Sequence, residues 1–367
     1  MSRRKADRDP ACHCAAGSGP PRQLLAFMTQ APATPFINAL HGLRGLLALW
    51  VVLYHASPGL ALVRHGYVAV DGFFILSGFV LMRAHASELS PSSIGDAARF
   101  LRLRWWRTYP LYAACLVLTL PFFATASLPS GAEVLAALLL LEGWALPGLG
   151  INAPVWSLGV EWCGYLAFPL LAWCIAGLSR PTAVKWIVFA AVAEILLMVA
   201  VLEASLGDFV GWPALTRMFG GFSCGCLLSV VHQRAGSTAG GPRQDAWLLA
   251  ACVAALLVLW TLPAAYVLPA LVLVVHFTAQ PGPVTRRALG GATGMFLGRI
   301  SFALYLSHFL VLKVAMAAQP AVIDLLGAPG IGRAFCTLGG LLASVGMATL
   351  LCVLVEEPAR RYGRRYA

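Results

Sequence analysis

The sequence predicts an all-α polytopic membrane protein, with about ten transmembrane helices and one short re-entrant or interfacial helix. Of its 367 residues, 59% are hydrophobic and 11% are charged, whereas soluble domains carry about 25% charged residues. Apolar runs of about 17–25 residues, the length that crosses a bilayer, recur along the chain. The net charge of +11 is spread between these runs. The basic residues therefore form no compact basic region of the kind that binds nucleic acid, and orientation across a bilayer explains them better.

Ten apolar runs are expected to span the membrane. They lie near 40–60, 67–84, 109–127, 155–178, 183–203, 212–232, 246–262, 264–280, 295–316 and 333–355. An eleventh run, 133–147, is shorter and contains Glu133 and Glu142. If this run is re-entrant or interfacial, both termini and all but four of the 26 Lys and Arg residues lie on the cytoplasmic side, as the positive-inside rule expects. The four exceptions are Arg64, Arg217, Lys313 and Arg333.

Three regions follow from this organisation. Residues 1–35 are polar and read as a disordered cytoplasmic tail. Residues 36–360 form the transmembrane domain, and residues 361–367 form a short basic cytoplasmic tail. Cys12-His13-Cys14 in the first tail supplies too few ligands for a metal site, so no metal is expected.

The first span contains an arginine and a histidine on one helix face. Arg44 and His55 are separated by three helical turns plus about 20°, or about 16 Å along the axis. Ionisable groups within a span are costly and usually face a cavity or the bundle interior. The pair indicates an elongated site. Alternatively, Arg44 marks the inner end of the span and His55 is a hydrogen-bonded packing residue.

The second span carries Asp71 and Ser77 within the motif Val-Asp-Gly-Phe-Phe-Ile-Leu-Ser-Gly-Phe. A carboxylate in an apolar run needs a partner, which makes Asp71 a candidate functional residue. Gly72 and Gly78 allow close approach of another helix, so the same motif is also typical of helix packing.

Arg104 and Arg107 lie at the cytoplasmic mouth of the third span and share one helix face through their i, i+3 spacing. Arginine side chains bind phosphates with paired hydrogen bonds, and the neighbouring Trp105, Trp106 and Tyr109 can stack on a planar base. The cluster is equally typical of an aromatic and basic belt that faces anionic lipid.

Glu161 lies in the apolar segment that begins at Trp156. In the ten-span topology this segment starts at the outer face, which brings Glu161 to about the depth of His55. A buried carboxylate can fix the tautomer of an imidazole and stabilise its cation. The alternative is a structural hydrogen bond from Glu161 to a neighbouring helix.

The ninth span carries Tyr305 and His308, which are one helical turn apart and can line the same cavity. A packed histidine explains His308 nearly as well. At the end of the last span, the Glu-Glu-Pro sequence at 356–358 reads mainly as a helix end signal.

In their order along the chain, these motifs resemble the acyltransferase-3 family of integral membrane acyltransferases over about residues 36–362. The set comprises Leu-Arg44-Gly-Leu with His55, the Asp71–Ser77 motif, Arg104-Trp-Trp-Arg107, Trp156-Ser-Leu-Gly-Val-Glu161, Ile-Ser-Phe-Ala-Leu-Tyr305-Leu-Ser-His308 and Glu357-Pro. The sequence departs from the family pattern at His41, where an acidic residue is usual, at Trp162, where a polar residue is common, and at Ser307, where an aromatic residue is usual.

The resemblance implies about ten core helices and an O-acyltransferase. The expected reaction moves an acyl group from cytoplasmic acyl-CoA to a hydroxyl of a carbohydrate or envelope glycan. Acetyl is the acyl group that we expect. The resemblance also implies that His55 is catalytic, that Arg44 supports the site, and that Arg104 and Arg107 contact the donor.

Together, the residues and the resemblance give a mechanistic hypothesis. Arg104, Arg107 and Arg44 bind the phosphates of coenzyme A, and His55 either removes the acceptor proton or carries the acyl group itself. Glu161 orients His55, so that His55, Glu161 and Arg44 form the catalytic set. The residues expected to bind the acceptor are Asp71, Ser77, Trp156, Tyr305 and His308.

The alternative function is a proton-coupled transporter, which would also contain ionisable residues within its spans. Transporters often contain internal repeats, and no self-similarity is evident between residues 40–178 and 183–355. The expected partners of the enzyme are acyl-CoA, the glycan acceptor and the lipid bilayer of the bacterial cytoplasmic membrane. A homodimer is left open.

Overall fold

The computed structural model describes residues 35–366, apart from residues 58, 62, 87–93, 125–128, 145–151, 202–209 and 236–239. The regular secondary structure in this part of the chain is helical, which confirms the all-α fold class. The predicted N-terminal tail, with Cys12-His13-Cys14, lies outside the described residues.

The helices are numbered here in chain order. They are α1 (Pro35–Ala56), α2 (Ala69–His85), α3 (Ile94–Thr119), α4 (Gly131–Leu138), α5 (Trp156–Ala176), α6 (Arg180–Leu196), α7 (Trp212–Ala235), α8 (Pro242–Thr261), α9 (Leu268–Thr278), α10 (Pro283–Leu289), α11 (Ala292–Leu326), α12 (Pro329–Leu351) and α13 (Glu357–Tyr366). A short 3-10 turn, Ala153–Val155, leads into α5, and a π-type turn, Cys352–Glu356, joins α12 to α13.

Within the described residues, eight helical segments are long and apolar enough to cross a membrane. The bent pair α9 and α10, whose axes meet at 94°, adds a ninth if it forms one span. The expected count of ten is therefore not confirmed. The missing span corresponds to α3, because every 18-residue stretch of this helix includes the arginines at 102, 104 and 107.

The short run 133–147 contains the eight-residue helix α4. Ser130 caps this helix: its hydroxyl accepts a hydrogen bond from the Glu133 amide, and Glu133 accepts one from the Ser130 amide in return. A membrane-spanning helix needs about 20 residues. Helix α4 is therefore too short to cross, in line with the expected re-entrant or interfacial helix.

Helix α1 packs closely along α11, and glycines allow this approach. A Cβ atom on Gly45 would lie within 2.7 Å of backbone atoms at Leu297 and Gly298, and one on Gly298 would collide with the backbone of His41. This contact matters for the site because α1 and α11 carry the two histidines expected there, His55 and His308.

The basic segment expected to form a tail after residue 360 is helical through Tyr366. Helix α13 packs on α3: the rings of Tyr362 and Trp106 are 4.6 Å apart. Gly363 abuts the Trp106 side chain so closely that a larger residue would displace it. Residues 361–366 are therefore part of the folded helical unit.

Candidate active site

His55 lies in the last turn of α1 and is half-buried. Its ring is surrounded by three others, with centroid distances of 4.9 Å to Tyr54, 5.1 Å to His308 and 5.1 Å to Phe309. These aromatic contacts restrict the orientation of the imidazole. His55 is thus held in place by its neighbours, and the residue as a whole is only half-buried.

A chain of hydrogen bonds defines the tautomers of His308 and His55. Nδ1 of His308 lies 3.0 Å and 2.9 Å from the carbonyl oxygens of Leu304 and Tyr305. Carbonyl oxygens only accept hydrogen bonds, so Nδ1 carries the proton and Nε2 of His308 carries a lone pair. A neutral ring also suits its full burial, since an imidazolium there would be costly to desolvate.

The same reasoning applies to His55. Its Nδ1 lies 3.1 Å from Nε2 of His308 and 3.0 Å from the carbonyl oxygen of Val51. Both neighbours are acceptors, so Nδ1 of His55 donates a hydrogen bond shared between them. The lone pair of His55 is therefore on Nε2, which is the atom that a general base uses.

Tyr305 and Ser157 tie α11 to the start of α5. The Tyr305 hydroxyl donates a hydrogen bond of 2.9 Å to the Pro154 carbonyl oxygen and lies 2.7 Å from the Ser157 hydroxyl. Asn152 adds a 2.9 Å hydrogen bond from its side-chain amide to the Leu306 carbonyl oxygen. These bonds fix the part of α11 that precedes His308.

Glu161 does not contact His55, contrary to the sequence-based hypothesis. Its Oε1 accepts a 2.6 Å hydrogen bond from the Ser77 hydroxyl. Ser157 is the α5 residue at the level of Tyr305, and Glu161 lies one turn, about 6 Å, further along this helix. Among the described residues, the hydrogen-bond partner of Glu161 is therefore Ser77 and not His55.

Glu161 instead belongs to the arginine end of the site. Arg44 and Arg104 both lie within electrostatic range of its carboxylate, and Tyr165 contacts it from the next turn of α5. Ser77, which the sequence placed among acceptor-binding residues, supports Glu161. The structure therefore brings Ser77, Glu161, Arg44 and Arg104 together.

Asp71 forms a buried ion pair with Arg217, a partner that the sequence reasoning did not identify. Asp71 Oδ1 accepts a hydrogen bond from Arg217 Nε, and Oδ2 accepts one from a terminal nitrogen, both at 2.9 Å. Arg217 is 0% exposed and Asp71 is 2% exposed. The guanidinium carbon lies 5.1 Å from the centre of the Trp156 ring. Asp71, Arg217 and Trp156 thus link α2, α7 and α5.

Arg44 lies three turns from His55 along α1, whereas the other arginines expected at the donor end, Arg104 and Arg107, lie on α3. Arg107 forms an ion pair with Glu356, whose second oxygen is buried without a hydrogen-bond partner. Arg104 contacts Nε2 of His85 at 3.2 Å, and its own Nε is buried and unpaired. Arg44 is half-buried and makes no hydrogen bond with any residue in the described part of the chain. Hydrogen-bond donors of Arg44 and Arg104 at this end of the site therefore have no partner among the described residues.

A family model described as an acyltransferase domain matches residues 37–357. The chain belongs to the acyltransferase-3 family. It is 30% identical to acyltransferase MdmB of Streptomyces mycarofaciens, over 91% of this chain and 94% of that protein. No solved structure matches.

A second relative is matched over a smaller region. O-acetyltransferase OatA of Staphylococcus aureus is 26% identical over 37% of this chain and 24% of that protein. The family and these relatives confirm the enzyme class expected from the sequence, an O-acyltransferase in a membrane. Within the described residues, no group of three or more His, Cys, Asp or Glu side chains is arranged to hold a metal ion.

Proposed function

We propose that this acyltransferase moves an acetyl group from cytoplasmic acetyl-CoA to a hydroxyl of a carbohydrate or envelope glycan, with His55 as the general base. The observation that carries the proposal is the tautomer of His55. Its Nδ1 donates to Val51 and His308, so the lone pair is on Nε2, and His55 as a residue is only half-buried. A base for an alcohol needs this arrangement.

The proposed reaction conserves protons. Nε2 of His55 takes the proton of the acceptor hydroxyl as its oxygen attacks the thioester carbonyl. The carbon–sulfur bond then breaks, and the leaving thiolate takes the proton from His55 to give coenzyme A. As His55 becomes charged, its Nδ1–H donates more strongly to Nε2 of His308, which stabilises the imidazolium without a carboxylate.

The arginine end supports a donor that carries phosphates. Arg44 makes no hydrogen bond with the described residues and Arg104 has an unpaired Nε, so both have donors available for an anionic ligand. Arg44 and His55 are separated by about 16 Å along α1. We propose that the pantetheine arm of the donor follows this helix, with its phosphates near Arg44, Arg104 and Arg107 and its thioester near His55.

Four of the residues expected to bind the acceptor are already engaged within the protein. The polar atoms of Asp71, Ser77, Tyr305 and His308 already have partners within the protein. We therefore propose that these four residues, with Trp156, support the walls of the site rather than hydrogen-bond the acceptor. The acetyl group and the hydroxyl acceptor are supported by the relative named O-acetyltransferase OatA.

We also propose that both termini are cytoplasmic and that the acceptor is acylated at the outer side of a bacterial cytoplasmic membrane. The distribution of Lys and Arg supports this orientation. It places the arginine end, where the donor would bind, on the side where acetyl-CoA is made. The proposal does not depend on whether the protein is a monomer or a homodimer.

The proposed function is tested with purified protein in proteoliposomes and acetyl-CoA labelled on the acetyl group. We expect free coenzyme A to be released and the label to appear on an added glycan acceptor or, slowly, as acetate. Accumulation of label inside the liposomes without release of coenzyme A would contradict the proposal and indicate a transporter.

A further inference from the structure

A fourth arginine lies at the donor end of the site, outside every motif of the sequence. Arg360 is in α13, three residues beyond the region that the family matches. We propose that Arg360 binds the phosphate groups of the acyl-CoA together with Arg44 and Arg107, so that the C-terminal helix completes the donor site. This inference rests on the proposed function and extends it to a residue beyond the region that the family model matches.

The position of Arg360 is fixed by the packing of α13. Gly363 and Tyr362 hold this helix against Trp106 of α3. Arg360 is half-buried and lies within electrostatic range of Arg107, Glu356 and Arg44. The next residue, Arg361, points the other way: its side chain is 75% exposed and is paired with Glu357 at 3.1 Å.

The balance of charge in this region indicates an anionic ligand. Among the described residues, five arginines interact electrostatically here, whereas the carboxylates named with them are two, Glu161 and Glu356; the arginines are Arg44, Arg104, Arg107, Arg360 and Arg364. Guanidinium groups repel one another when partly removed from water, and the cost is recovered when an anion binds between them.

The hydrogen bonds of these arginines lead to the same conclusion. Arg107 is held by Glu356, whereas neither Arg44 nor Arg360 makes a hydrogen bond with any residue that the structure describes. A guanidinium has five N–H donors that match the oxygens of a phosphate. Two unpaired guanidinium groups beside Arg107 therefore form a site suited to phosphate.

Phosphate groups are present both in coenzyme A and in lipid headgroups. The arrangement favours coenzyme A, because Arg360 lies within electrostatic range of Arg44, which is half-buried on the same helix as His55. Arg361 and Arg365 are exposed arginines of α13, where lipid headgroups would be reached.

The test measures binding of radiolabelled coenzyme A to the full-length protein in nanodiscs of phosphatidylcholine. We expect Arg360→Ala to weaken binding about ten-fold or more, and Arg360→Lys to fall in between, because lysine keeps the charge but loses the paired hydrogen bonds. Arg361→Ala is the matched control and should bind as the wild type does. Pantetheine, which lacks phosphates, serves as a competitor of radiolabelled coenzyme A. Its inhibition constant should be the same for the wild type and for Arg360→Ala.

Three outcomes would overturn the proposal. These are wild-type affinity in a folded Arg360→Ala protein, an equal loss of pantetheine binding, and an effect of Arg360→Ala seen only when phosphatidylglycerol is added to the nanodiscs, which would indicate a lipid phosphate. Thermal unfolding and size-exclusion profiles establish that the variant is folded. If the wild type itself does not bind coenzyme A, the proposed function fails, which is distinct from a failure of Arg360 alone.

Discussion

Nε2 of His308 lies 3.1 Å from Nδ1 of His55, and this contact determines which nitrogen of His55 is available for chemistry. The buried His308 is itself oriented by two backbone carbonyl groups of α11. Two histidines in series thus replace the carboxylate–histidine pair that the sequence suggested. A neutral acceptor fixes the tautomer of His55 but adds no negative charge beside it.

The first prediction concerns the acceptor atom at position 308. The side-chain amide of glutamine reaches the place of histidine Nε2, whereas that of asparagine reaches only the place of Nδ1. We therefore expect His308→Asn to lower kcat about 10–100-fold and His308→Gln to keep most of the activity, because only glutamine can accept from His55. The KM for acetyl-CoA should stay near the wild-type value in both.

Steady-state kinetics of the two variants, with thermal unfolding as the measure of folding, distinguishes positioning from packing. If both variants lose kcat to the same extent while remaining folded, the hydrogen bond from His55 is not what His308 provides. A parallel rise in KM would also contradict a role confined to the base.

The second prediction concerns the buried pair of Asp71 and Arg217. Removing one partner leaves the other charge buried, which costs about 3–5 kcal/mol. We expect Asp71→Asn and Arg217→Met to unfold at clearly lower temperatures than the wild type in the same detergent. The double variant Asp71→Leu/Arg217→Met should recover much of this loss, because apolar side chains of similar volume can replace a buried pair.

Acetyl transfer in the double variant is the decisive readout for that pair. Since the proposal gives Asp71 and Arg217 a structural role, a stable double variant should retain activity. A double variant that folds well but transfers no acetyl group would show that the carboxylate or the guanidinium takes part in the reaction.

The third prediction concerns the approach of α1 to α11. A Cβ on Gly298 would collide with the backbone of His41 and push the two helices apart. We expect Gly298→Ala to lower acetyl transfer several-fold and to lower the unfolding temperature, because His55 and His308 depend on this approach. Gly346→Ala in α12 is the control, since its Cβ would meet no atom within 4 Å. Equal effects of the two substitutions would contradict the account.

Much of the fold and part of the site could be predicted from the sequence. The apolar runs predict the helices because a span requires length and low charge. Arg44 and His55 could be placed on one face because helical spacing within a single element is regular. The need of Asp71 for a partner followed from its apolar surroundings.

The contacts between helices could not be predicted in this way. Arg217 as the partner of Asp71, and His308 as the partner of His55, depend on how α7 packs on α2 and how α11 packs on α1, which spacing along one helix does not contain. The hydrogen bond from Ser77 to Glu161 likewise depends on how α2 and α5 are placed relative to each other. Arg360 was missed because the sequence at the end of the last span reads mainly as a helix end signal, and its approach to the other arginines depends on how α13 packs on α3.

The most direct test of the central claim is acetyl transfer by His55→Ala, measured beside coenzyme A binding in the same preparation. We predict that transfer falls by about 10²–10⁴-fold, the usual contribution of a general base. Binding of coenzyme A should be unchanged, because Arg44 lies about three helical turns from His55 and the other arginines of the donor end lie on different helices. Transfer close to the wild-type rate by a folded His55→Ala protein would contradict the account.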